Sequence, residues 1–207
     1  MNQRAFSAIE LLGVVAILAI LAALLLPRVS HRTAKPDVIQ TVSDAHLTEA
    51  TVAIQALQAA TTAHLAQFGS LGSQSGTPLN FSANYDKFGQ VLLTEGFIER
   101  PFGMTIGTDA LVRLVRVSGL SAASSVEGSN GAYDLDGDGK NDVVAASFVV
   151  EAVVPGVPEA TARALSDRLD GPRLGAGAGT DDLLGQVIYR KPGPDGRTEV
   201  HIHILHK

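Results

Sequence analysis

Hydrophobic and polar positions recur with different periods along this 207-residue chain, and each period predicts a different element. From Phe6 to Leu26 the run FSAIELLGVVAILAILAALLL is almost continuously apolar. As a helix at about 1.5 Å per residue it would extend about 31 Å, the thickness of a bilayer's hydrocarbon core. In PRVSHRTAKP, Pro27 and Pro36 interrupt helical hydrogen bonding and predict a kinked or partly unwound junction at the membrane surface. A helix then resumes with Asp37 as its cap, and Ile54, Leu57, Thr61, Leu65 and Phe68 recur at three- and four-residue steps until Gly69 ends the pattern. His46 and His64 lie along this helix and are expected on its polar face.

Beyond GSLGSQSGTP, a loop, the spacing predicts a short helix around Tyr85 to Thr94, stopped by Gly96, with Phe97 and Ile98 extended before Pro101. ALVRLVRV, Ala110 to Val117, reads equally as a strand or as one helical turn. DVVAASFVVEAVV is valine-rich and predicts a buried strand, and Pro158 to Leu169 predicts a short amphipathic helix. LGAGAGTDD has a glycine rhythm but no lysine and no strand before it, so it reads as a mobile loop and not as a phosphate cradle. GQVIYRKPGPDGRTEVHIHILHK predicts a hairpin turning at Pro194, Asp195 and Gly196. The expected fold is α+β: a long N-terminal helix, membrane-spanning in its first half, packed on a C-terminal antiparallel sheet.

Composition narrows the function. With 45% hydrophobic residues and a net charge of -5, the chain has room for one membrane segment and one globular domain, and it lacks the basic stripe that tracks a phosphate backbone. Nucleic acid is not an expected partner. The absence of cysteine removes disulfides, thiolate metal sites and thiol nucleophiles. No G-x-S-x-G, H-E-x-x-H or Walker pattern occurs, so the chain is not read as an enzyme. A cleaved secretory signal is disfavoured, because Pro27, Arg28 and His31 stand where an A-x-A-like site would follow the apolar run.

Glu10 is the anomaly in that run. An acidic side chain at the centre of a membrane helix costs about 2.5 to 3.5 kcal/mol on insertion scales and usually marks a partner. No Lys or Arg lies between Phe6 and Pro27, so the counter-charge must come from elsewhere. A cut between Ala5 and Phe6 would create one, the new α-amine of Phe6. Within one straight helix that amine sits about 6 Å below Glu10, which makes a neighbouring subunit the better donor.

RAFSAIELLGVVAILAILAALLLP resembles the N-terminal signal of type IV pilin-like proteins, the prepilins and type II secretion pseudopilins. The likeness comprises a short hydrophilic leader Met1 to Ala5, a small residue before Phe6, Glu10 four positions later, the run Leu11 to Leu26, and Pro27. Ala5 stands where the family usually has Gly. The resemblance implies that a prepilin peptidase cleaves after Ala5 and methylates the amine of Phe6, and that Glu10 registers each incoming subunit on its neighbour. It implies a leader (1–5), a transmembrane and filament-core helix (6–28), the second half of the long helix (29–68) and a globular domain (69–207). It also implies a bacterial inner-membrane location, single-pass, with the N-terminus cytoplasmic and the globular domain periplasmic before assembly into a periplasmic or surface filament. Arg28, Arg32 and Lys35 beyond the run outnumber Arg4 before it, so charge counting does not favour that orientation; the leader motif does. Expected partners are the prepilin peptidase, identical or homologous pilin-like subunits, the inner-membrane assembly platform and membrane lipid. The expected function is that of a structural subunit of a type II secretion pseudopilus. The alternatives are a type IV pilus subunit or a membrane-tethered calcium-dependent binding or adhesin domain.

DLDGDGKND supplies the second chemical signal. Asp134, Asp136 and Asp138 at alternate positions, Gly139 for the turn, the Lys140 carbonyl and Asp142 follow the ligand spacing of a calcium loop. Ala145 stands where such a loop would supply a bidentate Glu, which predicts weaker binding. Four carboxylates this close repel one another unless a divalent cation neutralises them, so calcium is the expected cofactor. HIHILH sets His201 and His203 on one face of a strand; without a third ligand they are expected to form a solvated face.

Overall fold

The computed structural model describes residues 38–80, 84–117 and 131–207. The apolar run, with Ala5, Phe6 and Glu10, lies outside the described residues, in the unit Met1–Asp37; Val38–Lys207 forms a second unit of its own.

That second unit opens with helix α1, Val38–Phe68. Its buried positions Leu47, Ala50, Ile54, Leu57, Thr61 and His64 step by three and four residues, while Asp44, His46, Glu49 and Gln55 face outward. Gly69 ends it at φ 70, where its N–H bonds back to the Leu65 carbonyl at 2.8 Å. Any other residue would strain that left-handed cap. Strands β1 (Ser73–Gln74) and β2 (Thr77–Pro78) then form a small hairpin. Strand β3 (Asn84–Tyr85) leads into helix α2 (Phe88–Thr94), and β4 (Leu111–Arg116) settles ALVRLVRV as a strand. Strand β5 (Phe148–Pro158) runs directly into helix α3 (Glu159–Leu169), and β6 (Val187–Tyr189) and β7 (Arg197–His206) make the C-terminal hairpin. Gly196, at φ 71, donates to the Gly193 carbonyl at its turn.

Strands β3 to β7 form one antiparallel sheet in the order β3-β4-β5-β7-β6. Alternation along each strand assigns its faces. Val112, Leu114, Val150, Ala152, Val154, Val187, Val200 and Ile202 share one core with Ile54 and Leu57 of α1, Phe88 and Leu92 of α2, and Leu165 of α3. Val149, Ile188 and Val117 belong to the other face, where they pack with Tyr133 and Val143. Segment 131–147 therefore lies across the sheet from the helices.

The expectation of a long helix with a membrane-spanning first half is corrected here. Among the described residues no helix is long and apolar enough to cross a membrane. The reason lies in α1 itself, which has one apolar stripe and a polar remainder, the pattern of a helix on a sheet and not of one in lipid. The strands also form two antiparallel sheets where one was expected. His64 departs from the expected polar face as well. It is fully buried, one stripe position from Thr61, with the rings of Phe68, Phe88 and Phe97 at 4.9, 5.4 and 5.4 Å. Burial lowers its pKa against the opposing pull of Glu95. The loop expected to be mobile is tied at several points. Asp182 accepts a hydrogen bond from the Ser166 hydroxyl at 2.9 Å and exchanges backbone bonds with Tyr189, while Asp170 accepts from the backbone N–H groups of Gln186 and Val187.

Because Ile54 is 1% exposed at the centre of the α1 stripe, Ile54→Ala should lower unfolding free energy by about 2 to 5 kcal/mol. Ala59→Ser on the outer face should stay within about 0.5 kcal/mol. Urea unfolding of the two variants measures the difference; equal, small losses would mean that α1 does not pack on the sheet.

Candidate cation loop and the buried polar layer beneath it

The acidic loop is built on Tyr133. Its N–H donates to Asn141 Oδ1 at 3.0 Å and its carbonyl accepts from the Asp142 N–H at 2.8 Å, which closes the base of the turn. Asp134, 3% exposed, follows at once, and its carboxylate accepts from the backbone N–H groups of Gly137 (2.8 Å), Asp138 (3.1 Å) and Gly139 (2.9 Å). The chain thus wraps around one carboxylate. Gly137 and Gly139 adopt φ of 78 and 84, and a Cβ at Gly137 would also lie 2.6 Å from the Leu174 side chain. The Asp134 carbonyl in turn accepts the Gly185 N–H at 2.7 Å, which joins the loop to the segment before β6.

One carboxylate oxygen from each of Asp134, Asp136 and Asp138 lies within 4.8 Å of the others. Ligands at 2.3 to 2.6 Å from a shared calcium can be up to about 5 Å apart, so the three fit one calcium shell. Asp142 is not in that group: its Oδ2 accepts from the N–H groups of Leu135 (2.6 Å) and Asp136 (3.3 Å), and it braces the loop instead. Lys140 places its ammonium 3.2 Å from Asp138 Oδ2. That hydrogen bond holds the exposed Asp138 carboxyl below its usual range. A cation entering the loop has to compete with this ammonium.

Beneath the loop lies a layer that sequence reasoning missed. Glu151, 1% exposed in the middle of β5, accepts a hydrogen bond from the Tyr133 hydroxyl at 2.8 Å. Arg113 Nη1 on β4 and His201 Nδ1 on β7 each lie 3.6 Å from its carboxylate. His201 also bonds Glu199 through Nε2 at 2.9 Å, and Arg113 reaches Asp86 at 2.5 Å. Burial by itself would lower the pKa of His201, but the two facing carboxylates outweigh it and raise it to about 9. Burial and the adjacent Glu151 charge push the Tyr133 phenol upward, so it stays a donor. The expected solvated face is corrected: His201 and His203 are 2% and 9% exposed, because segment 131–147 covers the side of the sheet they occupy. The signal was present in FVVEAVV and EVHIHILH, where a lone carboxylate among valines stands in register with histidines on the neighbouring strand.

The layer takes the charges of Glu151 and His201 out of water and leaves Arg113 partly exposed at its edge. Compared with protein-family models, with curated proteins and with solved structures, the chain matches none.

The His201 pairing carries a pH signature. Its folded-state pKa of about 9 exceeds the unfolded value near 6.5, so its contribution is complete below pH 6.5 and is lost as pH rises through 9. Glu151→Gln should therefore flatten the decline of melting temperature between pH 6.5 and 9. An identical decline in both proteins, followed by thermal denaturation, would show that Glu151 does not hold the proton on His201.

Proposed function

We propose that the chain is a prepilin-type structural subunit, processed by a prepilin peptidase and assembled through its N-terminal apolar segment into a type II secretion pseudopilus. One observation carries this reading: a hydrophilic leader ending at Ala5, Phe6 at the head of an apolar run, and Glu10 as the sole charge within that run. An isolated carboxylate in an apolar segment is retained at a cost and needs a cation, and a processed Phe6 amine on a neighbouring subunit supplies one. The segment would reside in the bacterial inner membrane with the globular unit on the periplasmic side, in contact with the assembly platform and with other pilin-like subunits.

The acidic loop favours a second component, calcium held by Asp134, Asp136 and Asp138 with the Lys140 carbonyl. It supports equally a membrane-tethered calcium-dependent binding domain, the reading that gains if no filament forms. A surface type IV pilus is the remaining assembly of the same processing signal.

Co-expression with a prepilin peptidase should remove Met1 to Ala5, and intact mass of the membrane fraction reads the new terminus. Glu10→Val should be cleaved equally well but yield few filaments. A mature start other than Phe6 overturns the processing signal, and full filament yield from the valine variant removes the assembly role of Glu10.

Calcium at a hundred times its Kd should stabilise the protein by about 2.7 kcal/mol. Asp136→Ala with Asp138→Ala should abolish that gain while costing little in chelator, where removing charge relieves repulsion. Magnesium should do less, since it demands a stricter octahedral shell. Equal melting temperatures in millimolar calcium and in chelator would reduce the loop to a turn.

A further inference from the structure

The two histidines near the end of β7 face each other. His203 Nε2 lies 2.9 Å from His206 Nδ1, and the ring centroids are 5.1 Å apart. A bulge brings this about: Glu151 pairs with His203, Val150 with Leu205 and Val149 with His206, so Ile204 is an extra residue and positions three apart emerge on the same side. A hydrogen bond between two imidazole nitrogens needs one donor and one lone pair. The pair can therefore keep this contact with one imidazolium but not with two.

The His203 ring also meets Tyr133 edge-on at 5.1 Å. Tyr133 is the residue whose backbone closes the acidic loop and whose hydroxyl bonds Glu151. Among the described residues, the titratable groups acting on or touching His203 are Glu151 on β5, His206 on β7 and Tyr133 from the covering segment, while Arg113 on β4 and His201 on β7 reach the same Glu151. Asp170, at the end of α3, lines a cavity of about 420 Å³ beside it, with Gln58 of α1 on the same wall.

We propose that the His203–His206 pair is an acid-sensitive latch. A second proton on the pair breaks its hydrogen bond, unseats Tyr133 from β7 and releases segment 131–147 from the sheet. Burial first, and then the neighbouring His206, lower the pKa of His203 to about 4 against the weaker opposing pull of Glu151. The folded value lies below the unfolded 6.5, so the stabilisation is present above pH 6.5 and is lost as pH falls towards 4. His201 works in the other direction, keeping its proton between Glu151 and Glu199 throughout this window. Asp170, raised by burial to about 6, gains stability on protonation and opposes the release. The acid response thus belongs to the pair and not to the whole layer. It does not depend on a cation in the loop.

Hydrogen exchange by mass spectrometry on the full chain, in detergent and chelator, tests this between pH 6.5 and 4.5, with exchange times scaled for the intrinsic rate. Opening of segment 131–147 should rise by up to about tenfold per pH unit, while α2 shows no such rise. His203→Phe keeps a ring against Tyr133 but cannot titrate, and should abolish the rise. His206→Gln keeps a hydrogen-bond partner for His203 and removes the like charge, so its rise should be shallower. A pH-independent wild-type segment, or an unaltered rise in His203→Phe, overturns the latch. If His203→Phe does not fold, His206→Gln decides alone: a wild-type rise in that variant overturns it.

Discussion

A carboxylate set among valines must find its counter-charges at its own depth, and the side of the sheet away from the helices is organised by how Glu151 does so. Its partners come from three places in the chain: Arg113 from β4, His201 from β7 and the Tyr133 hydroxyl from the covering segment. Truncating one member of such a buried set leaves a charge unpaired, which is far more destabilising than never having buried it. The covering segment is accordingly held to the sheet by directional bonds as well as by the small apolar cluster of Val117, Val143, Val149 and Ile188. Apolar contact alone would allow that segment to slide; a phenol aimed at one carboxylate oxygen does not.

The acidic loop inherits its position from this arrangement. Asp134 is buried because Tyr133 is, and the backbone then folds round its carboxylate through three N–H groups. Three of the carboxylates predicted to act together do converge, whereas the exposed Asp142 accepts from the backbone N–H groups of Leu135 and Asp136. Spacing along the chain predicts which groups can meet in a tight turn. It does not say which of them the backbone will claim as hydrogen-bond acceptors.

The same distinction separates what the sequence made legible from what it did not. The α1 stripe, the Gly69 stop, the short helix before Gly96, the α3 segment and the C-terminal hairpin follow from periodicity and turn chemistry, which are local. The membrane-spanning first half assigned to the long helix did not emerge, because the apolar run and the amphipathic stripe belong to different stretches of chain, and only the stripe is among the described residues. For His64, His201 and His203 the sequence predicts polar faces, because histidine is usually wet. What covers them comes from residues such as Phe88, Phe97 and Tyr133, far away in sequence. DVVAASFVVEAVV predicts one strand, yet the strand begins only at Phe148: Asp142 closes the acidic turn, and Val144 to Ser147 make a second turn against the Val117 backbone with Ala146 at φ 69.

The extra residue in β7 lets the C-terminal end of the strand give more apolar surface to the helix-side core than strict alternation would allow. Up to His203 the strand alternates faithfully, and beyond Ile204 every side chain is displaced by one step, so Leu205 joins the helix-side core while His206 returns to the polar side. Ile204 is itself 4% exposed and belongs to the helix-side core, so a polar residue there would lose apolar burial. Its deletion would close the bulge and leave Leu205 opposite Val150 and His206 opposite Val149, so the faces would be kept while the core lost one isoleucine.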